Sequence, residues 1–215
     1  MILALLLAAA ALAALAPAAP APAAPPSADA VEARAVMADP PESGQLWATA
    51  GNLRLKDGDS AGAVRAFERA LAVPGMTNRD RGEVLLDRAR VAETAGDIAT
   101  ATARAAEASR LVPKDPFVWY FRTVLAVRAG DVPLAKIAIA RALALAPDDP
   151  TLLFEQGHVA QLAGEDAAAR TAWTRAATVD PNGKSGAAAR RALTLAGVPL
   201  TVRGGKTSPA APEAP

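Results

Sequence analysis

Four short segments, KDGDSAGA, TAGDIATA, RAGDVPLA and LAGEDAAA, place Gly58, Gly96, Gly130 and Gly164 immediately before an acidic residue, at spacings of 38, 34 and 34. No other feature constrains the fold as tightly, because a fixed period in this range is the signature of a solenoid of stacked units. Each glycine follows about four turns of helical pattern and precedes another helical run. That second run closes near a proline, at Pro74, Pro113, Pro147 and Pro181. Every unit therefore reads as a helical hairpin. Glycine permits the positive φ of a tight helix end, and the acid after it can cap, or favourably charge, the amino terminus of the next helix. Pro133 fits because proline is tolerated in a first helical turn. Asp59, Asp97, Asp131 and Glu165 recur at every turn, which assigns them to structure and not to catalysis.

Composition supports an all-α reading. The chain is 52% hydrophobic but only 4% aromatic, so much of its apolar content is alanine, which favours close helix packing over a sheet core. Twenty-three basic residues against 22 acidic ones leave a net charge of +1, and no charge signal for nucleic acid or an anionic membrane. The run from Arg128 to Pro150 is apolar enough to suggest a membrane span, but Lys136 and Arg141 interrupt it and Pro147 closes it at one hairpin helix's length.

The ends read differently. MILALLLAAAALAALAP has the apolar core of a secretion signal, with small residues suited to cleavage between Ala13 and Ala19. Residues 1–19 are expected to be a signal peptide. The stretch before Pro17 is shorter than the roughly 20 residues that usually cross a bilayer, so no stable span is expected after cleavage. Export to the periplasm or beyond is the reading; an N-terminal anchor and a cytoplasmic location are the alternatives. Cysteine is absent, leaving no thiol for lipid attachment and no disulfide. Residues 20–41 form an Ala/Pro-rich linker with a possible short helix starting at Ser27. Residues 198–215 combine Gly and Pro with few large apolar groups and are expected to be a flexible tail.

Between these ends, residues 42–197 resemble the tetratricopeptide-repeat family. In the first unit Trp47, Gly51, Ala63, Phe67, Ala70 and Pro74 fall at or within one residue of the family's signature places. Trp119, Ala135, Ile139, Ala142 and Pro147 do so in the third, and Leu153, Gly157, Ala169, Trp173, Ala176 and Pro181 in the fourth. The second unit keeps Leu85, Ala89, Ala101, Ala108 and Pro113, but sets Ala105 where a large residue usually packs. The usual tyrosine late in the first helix is replaced by Arg54, Ala92, Ala126 and Ala160. The resemblance implies an α-solenoid of about four hairpins, with Leu193 and Leu195 on the apolar face of a capping helix. The extra residues between units one and two, around PGMTNRDRGE, should lengthen a loop or add a helical turn.

The family's geometry implies that the first helices line a concave groove that takes a partner peptide. Carried over, the groove would include Asn52, Asp87, Arg90, Phe117, Tyr120, Phe121, Phe154 and His158, with Gln45, Ala48, Thr49, Glu83, Leu86, Val124, Thr151 and Glu155 beside them. Of the basic and amide residues with which some members clamp a terminal carboxylate, only Asn52 is matched. Ala48, Asp87, Phe117 and Phe121 occupy the other places, so no such clamp is expected. An apolar middle flanked by Asp87, Arg90 and Glu155 suits an apolar peptide or helix. The competing reading is that the four aromatics fill gaps between repeats. Trp47, Trp119 and Trp173 stand at signature places and are assigned to packing.

No catalytic, cofactor or metal site is expected. His158 is the one histidine, and with Glu155 it offers two ligands where zinc takes three or four. Ser-His-Asp chemistry would need that same histidine and a nucleophile motif the chain lacks. Gly204-Gly205-Lys206-Thr207 lacks the spacing and following helix of a phosphate loop. The sequence thus reads as a non-enzymatic, exported scaffold or adaptor for a protein or peptide partner. The alternative is a regulatory or substrate-presenting subunit of a cell-envelope assembly enzyme, in cell-wall or cytochrome biogenesis.

Overall fold

The structure, a computed structural model, describes residues 26–197. The leader, the start of the linker, the tail and the Gly204-Lys206 segment lie outside the described residues. Within them the chain forms ten α-helices: α1 Ala28–Met37, α2 Glu42–Lys56, α3 Ser60–Ala72, α4 Asn78–Thr94, α5 Ile98–Leu111, α6 Pro116–Arg128, α7 Val132–Leu145, α8 Pro150–Leu162, α9 Asp166–Val179 and α10 Lys184–Leu195. The hairpins α2/α3, α4/α5, α6/α7 and α8/α9 are the four repeats. Each helix packs mainly on its neighbours in the chain, with α2 also meeting α4 and α8 also meeting α10.

The hairpin turns work as the spacing implies. Gly58, Gly96, Gly130 and Gly164 have φ of 81°, 81°, 73° and 74°. A Cβ at any of them would meet nothing within 4 Å, so glycine is required there by backbone conformation and not by space. The carboxylates of Asp59, Asp97 and Asp131 accept from the amides of Gly62, Thr100 and Leu134 at 2.7, 3.0 and 3.0 Å. Hydrogen bonding from Thr100 holds the Asp97 carboxyl below the usual carboxylate range. Glu165 stands at the N-cap place of α9 but differs from the three aspartates. It makes no cap bond and its longer side chain reaches Lys136 Nζ at 2.6 Å.

In the first and fourth hairpins a large residue on the second helix faces a glycine on the first. A Cβ on Gly51 would lie 2.4 Å from Phe67 Cε1, and one on Gly157 would lie 2.3 Å from Trp173 Cδ1. The large rings therefore lie directly on bare backbone. In the third unit the register-equivalent pair is Thr123 and Ile139, at 0% and 3% exposure, with the Thr123 hydroxyl donating to the Trp119 carbonyl. In the second unit it is Ala89 and Ala105, both fully buried. Ala105, which departs most from the repeat pattern, thus faces another small side chain, and no large partner replaces its volume at this pair. Ala63, Ala101, Ala135 and Ala169 are buried at the helix crossings, as close packing requires.

The insertion between units one and two becomes a helical turn. α4 begins seven residues before Leu85, whereas α6 and α8 begin three before Trp119 and Leu153. Thr77 caps the added turn by accepting from the Asp80 amide. Met76, in the loop, packs on α2 where Gly44 has no side chain. Glu68 of α3 joins the two units by accepting from Arg88 at 3.1 Å and from Arg104 at 3.0 Å.

The ends of the array differ from the sequence reading in two places. The possible helix at Ser27 is formed: Ser27 caps it, and Ala28, Val31 and Ala35 are buried against α2. Arg54 of α2 ties it down through Asp29 and Glu32, the latter at 3.0 Å. Among the described residues packed structure thus includes this short helix, whose alanine face suffices where α2 offers a matching surface. At the other end α10 covers the array with Gly186, Ala189 and Leu193. Leu195, expected on the same apolar face, is 89% exposed. Two residues further along a helix is about 200° of rotation, which carries it to the opposite side.

Candidate functional site

The first helices bring their polar and aromatic residues together from α2 to α6. Asn52 Nδ2 donates to Asp87 Oδ2 at 3.3 Å, and the other carboxylate oxygen accepts from Arg90 at 2.9 Å. The Arg90 guanidinium lies 5.2 Å from the centroid of the Phe117 ring. Phe117 lies against Tyr120, with centroids 6.1 Å apart. These five residues make one track across three helices, each touching the next. Each arm has a sequence cause. Asp87 to Arg90 is a helical step of three, as is Phe117 to Tyr120, so both members of each pair share a face. The step from α4 to α6 is made by the long Arg90 side chain.

Burial separates the eight expected residues. Phe117 is 39% exposed, whereas Phe121 is 6% exposed and stacks under Phe117 with ring planes 4° apart. Phe121 thus supports the surface from within the core and does not line it. The reason is the turn of α6, whose buried stripe runs through Val118, Phe121 and Leu125. Phe154 is half-buried against the core of the last units, and its carbonyl accepts from Trp173 Nε1 at 3.1 Å. Both rings thus pack on the core, Phe121 fully and Phe154 in part. Leu86, expected beside the groove, is also buried. Trp47 and Trp173 are buried at 6% and 2% exposure; Trp119 is half-buried, its indole bonded to the Pro113 carbonyl at 2.9 Å. His158 stands apart from the track. Its Nδ1 is 3.5 Å from Glu155 on α8, with His158 40% and Glu155 12% exposed at the side chain.

Electrostatics mark the same surface. Burial is the largest effect on Asp87 and pushes its carboxyl up, against the opposing influence of Asn52 and Arg90. Burial also pushes the Tyr120 phenol up, followed by Glu155 and Asp149. Both shifts come from groups partly withdrawn from water in a wall that still has an open side. Among the described residues no group of three or more His, Cys, Asp or Glu is arranged to hold a metal.

The polar slot between α2 and α4 adds one residue to those expected in the groove, Asp80. Gln45, Thr49 and Asn52 face Asp80, Glu83 and Asp87 across it, and Gln45 Nε2 lies 3.4 Å from Asp80 Oδ2. Asp80 belongs to the added turn of α4, so no other unit has an equivalent position to reveal it. Next to the slot, Leu86, Leu111, Val112, Pro113 and Pro116 form an apolar recess flanked by Arg79 and Lys114.

No protein-family model and no curated protein matches the chain by sequence. Comparison with solved structures does find matches. A tetratricopeptide repeat protein from Parabacteroides merdae ATCC 43184 superposes with a TM-score of 0.67 at 14% identity, over 79% of this chain and 65% of that one. YrrB, a TPR protein with an unusual peptide-binding site, gives 0.61 at 16% identity, over 70% and 74%. The chain has the tetratricopeptide-repeat fold. A third tetratricopeptide-repeat match, MamA 41-end from Desulfovibrio magneticus RS-1, gives 0.57 at 16% identity, over 71% and 92%. Identities this low establish the tetratricopeptide-repeat architecture and leave the occupant of the groove to its own residues. No helix among the described residues is long and apolar enough to cross a membrane.

Proposed function

We propose that this protein is a non-catalytic scaffold that binds a protein or peptide along the faces of α2, α4 and α6. The observation that carries this reading is the track from Asn52 through Asp87 and Arg90 to Phe117 and Tyr120. It presents an exposed ring with an arginine over it, backed by a buried ring, next to a partly desolvated carboxylate. Aromatic and arginine side chains on a rigid support are the groups that dominate binding energy at protein interfaces. Their preformed packing limits the ordering cost of association. A solved tetratricopeptide-repeat structure with a peptide-binding site supports the class of ligand.

The double substitution Phe117→Ser, Tyr120→Ala tests the site. Affinity for the captured partner is expected to fall by at least about tenfold, the effect of losing one or two anchor rings, with helical content by circular dichroism unchanged. Unchanged capture with an intact fold would remove the site.

Export is part of the same proposal and rests on the apolar leader. Sequencing the amino terminus of the protein from its native cell is expected to find a start between residues 13 and 20. Recovery of an intact leader on a cytoplasmic protein would exclude it.

A further inference from the structure

Among the described residues the array ends in a helix without a hairpin partner on each side, and these two helices are complementary. α1 keeps the register of a second helix: Ala28, Val31, Glu32 and Ala35 lie 35 residues before Ala63, Ala66, Phe67 and Ala70. Among the described residues no first helix precedes it. α10 keeps the register of a first helix: Ala187, Arg191 and Thr194 lie 34 residues after Leu153, Gly157 and Ala160, through which α8 meets α9. Its chain passes into a turn at Gly197 with φ 72°, as at the other first helices. No second helix follows among the described residues. No other described helix covers the face of α10 that would receive one, which bears Ala187, Arg190, Arg191, Thr194 and Leu195.

We infer that α10 of one copy receives α1 of another, completing a repeat between molecules. Charge complementarity selects this occupant. In the complete units a residue at the Gly157 position faces one at the Trp173 or Phe67 position. The equivalent residues on the two end helices are Arg191 of α10 and Glu32 of α1. Arg190 and Arg191 make no ion pair with any described residue. Asp29 and Glu32 bond Arg54 through one oxygen each, leaving the other carboxylate oxygens to accept from an incoming guanidinium. Val36, which is 68% exposed, lies 35 residues before Leu71, buried in the first unit. It would gain similar cover from α10. The contact joins two different surfaces and does not close on itself, so it extends head to tail into chains.

Sedimentation velocity on the purified full chain, expressed with its own leader, tests this over a range of concentrations. The sedimentation coefficient is expected to rise with concentration and to fall with added salt. Arg191→Glu and Val36→Asp, both at exposed positions, should each weaken association by roughly tenfold or more while leaving thermal melting in place. Mixed together, the two variants should pair and stop at a dimer, since each retains one good end. A monomer at all concentrations, self-association of Arg191→Glu equal to that of the parent, or failure of the mixture to pair would overturn the inference. So would association that begins only after residues 198–215 are removed, which would make the tail the occupant of the α10 face.

Discussion

Replacing Phe67 with alanine is expected to cost about 3–5 kcal/mol of stability, the range for deleting a fully buried phenylalanine. The ring is 0% exposed and fills the space over Gly51, whose missing side chain leaves no neighbour able to move in. Collapse around the cavity is therefore limited, which places the cost high in the range. The loss should concentrate in the first two units, because stability in a stacked array is a sum of local and nearest-neighbour contributions. Hydrogen exchange read helix by helix checks both points. Amides of α2, α3 and α4 should lose protection while those of α8 and α9 keep it. A cost under about 1 kcal/mol, or uniform loss along the chain, would show that the Gly51–Phe67 contact does not hold the unit as described.

Adding a single methyl group to Gly157 is the converse experiment. Its Cβ would stand 2.3 Å from both Cδ1 and Nε1 of Trp173, and Trp173 is 2% exposed and bonded to the Phe154 carbonyl. The indole cannot retreat without breaking that bond, so Gly157→Ala is expected to destabilise by about 1–3 kcal/mol, although alanine is the better helix former. In a Trp173→Leu background the obstructing ring edge is gone, and the same substitution should cost about 1 kcal/mol less or become favourable. Denaturant unfolding of the four proteins in this cycle measures the coupling. Additive effects would mean that the indole is not the obstacle.

These pairs also show how far the sequence carried. The period, the hairpins and the turn chemistry were legible because each is a local requirement repeated in register: a glycine for positive φ, a short acid for a cap, a proline past the helix end. Positional equivalence then located the buried alanines. It could not say which way α6 is rolled about its axis. Phe117 and Phe121 stand a helical turn apart and look alike in the sequence, yet one is on the surface and the other beneath it. Glu165 keeps the place of the short acids, at the N-cap of α9, but its longer side chain goes to Lys136 and not to a cap bond. Asp80 was hidden because it lies in residues that only one unit has. The helix at α1 was legible from its start at Ser27, but its place in the repeat register was not, because no Gly-Asp turn announces it and Glu32 stands where an apolar residue would have marked the repeat.

The described helices touch mainly their neighbours in the chain, and beyond α2 on α4 and α8 on α10 this serial arrangement has little cross-bracing. A small rotation at one hairpin is not resisted by distant contacts, and it displaces everything beyond that hairpin as a lever displaces its tip. The four residues inserted as an added turn of α4 therefore act on the bearing of all six later helices, not on one loop. A substitution within Asn78–Arg81 would re-aim α6 and its exposed ring relative to α2 while leaving every contact inside the other units intact. Pitch, in such a body, is tuned at a single joint.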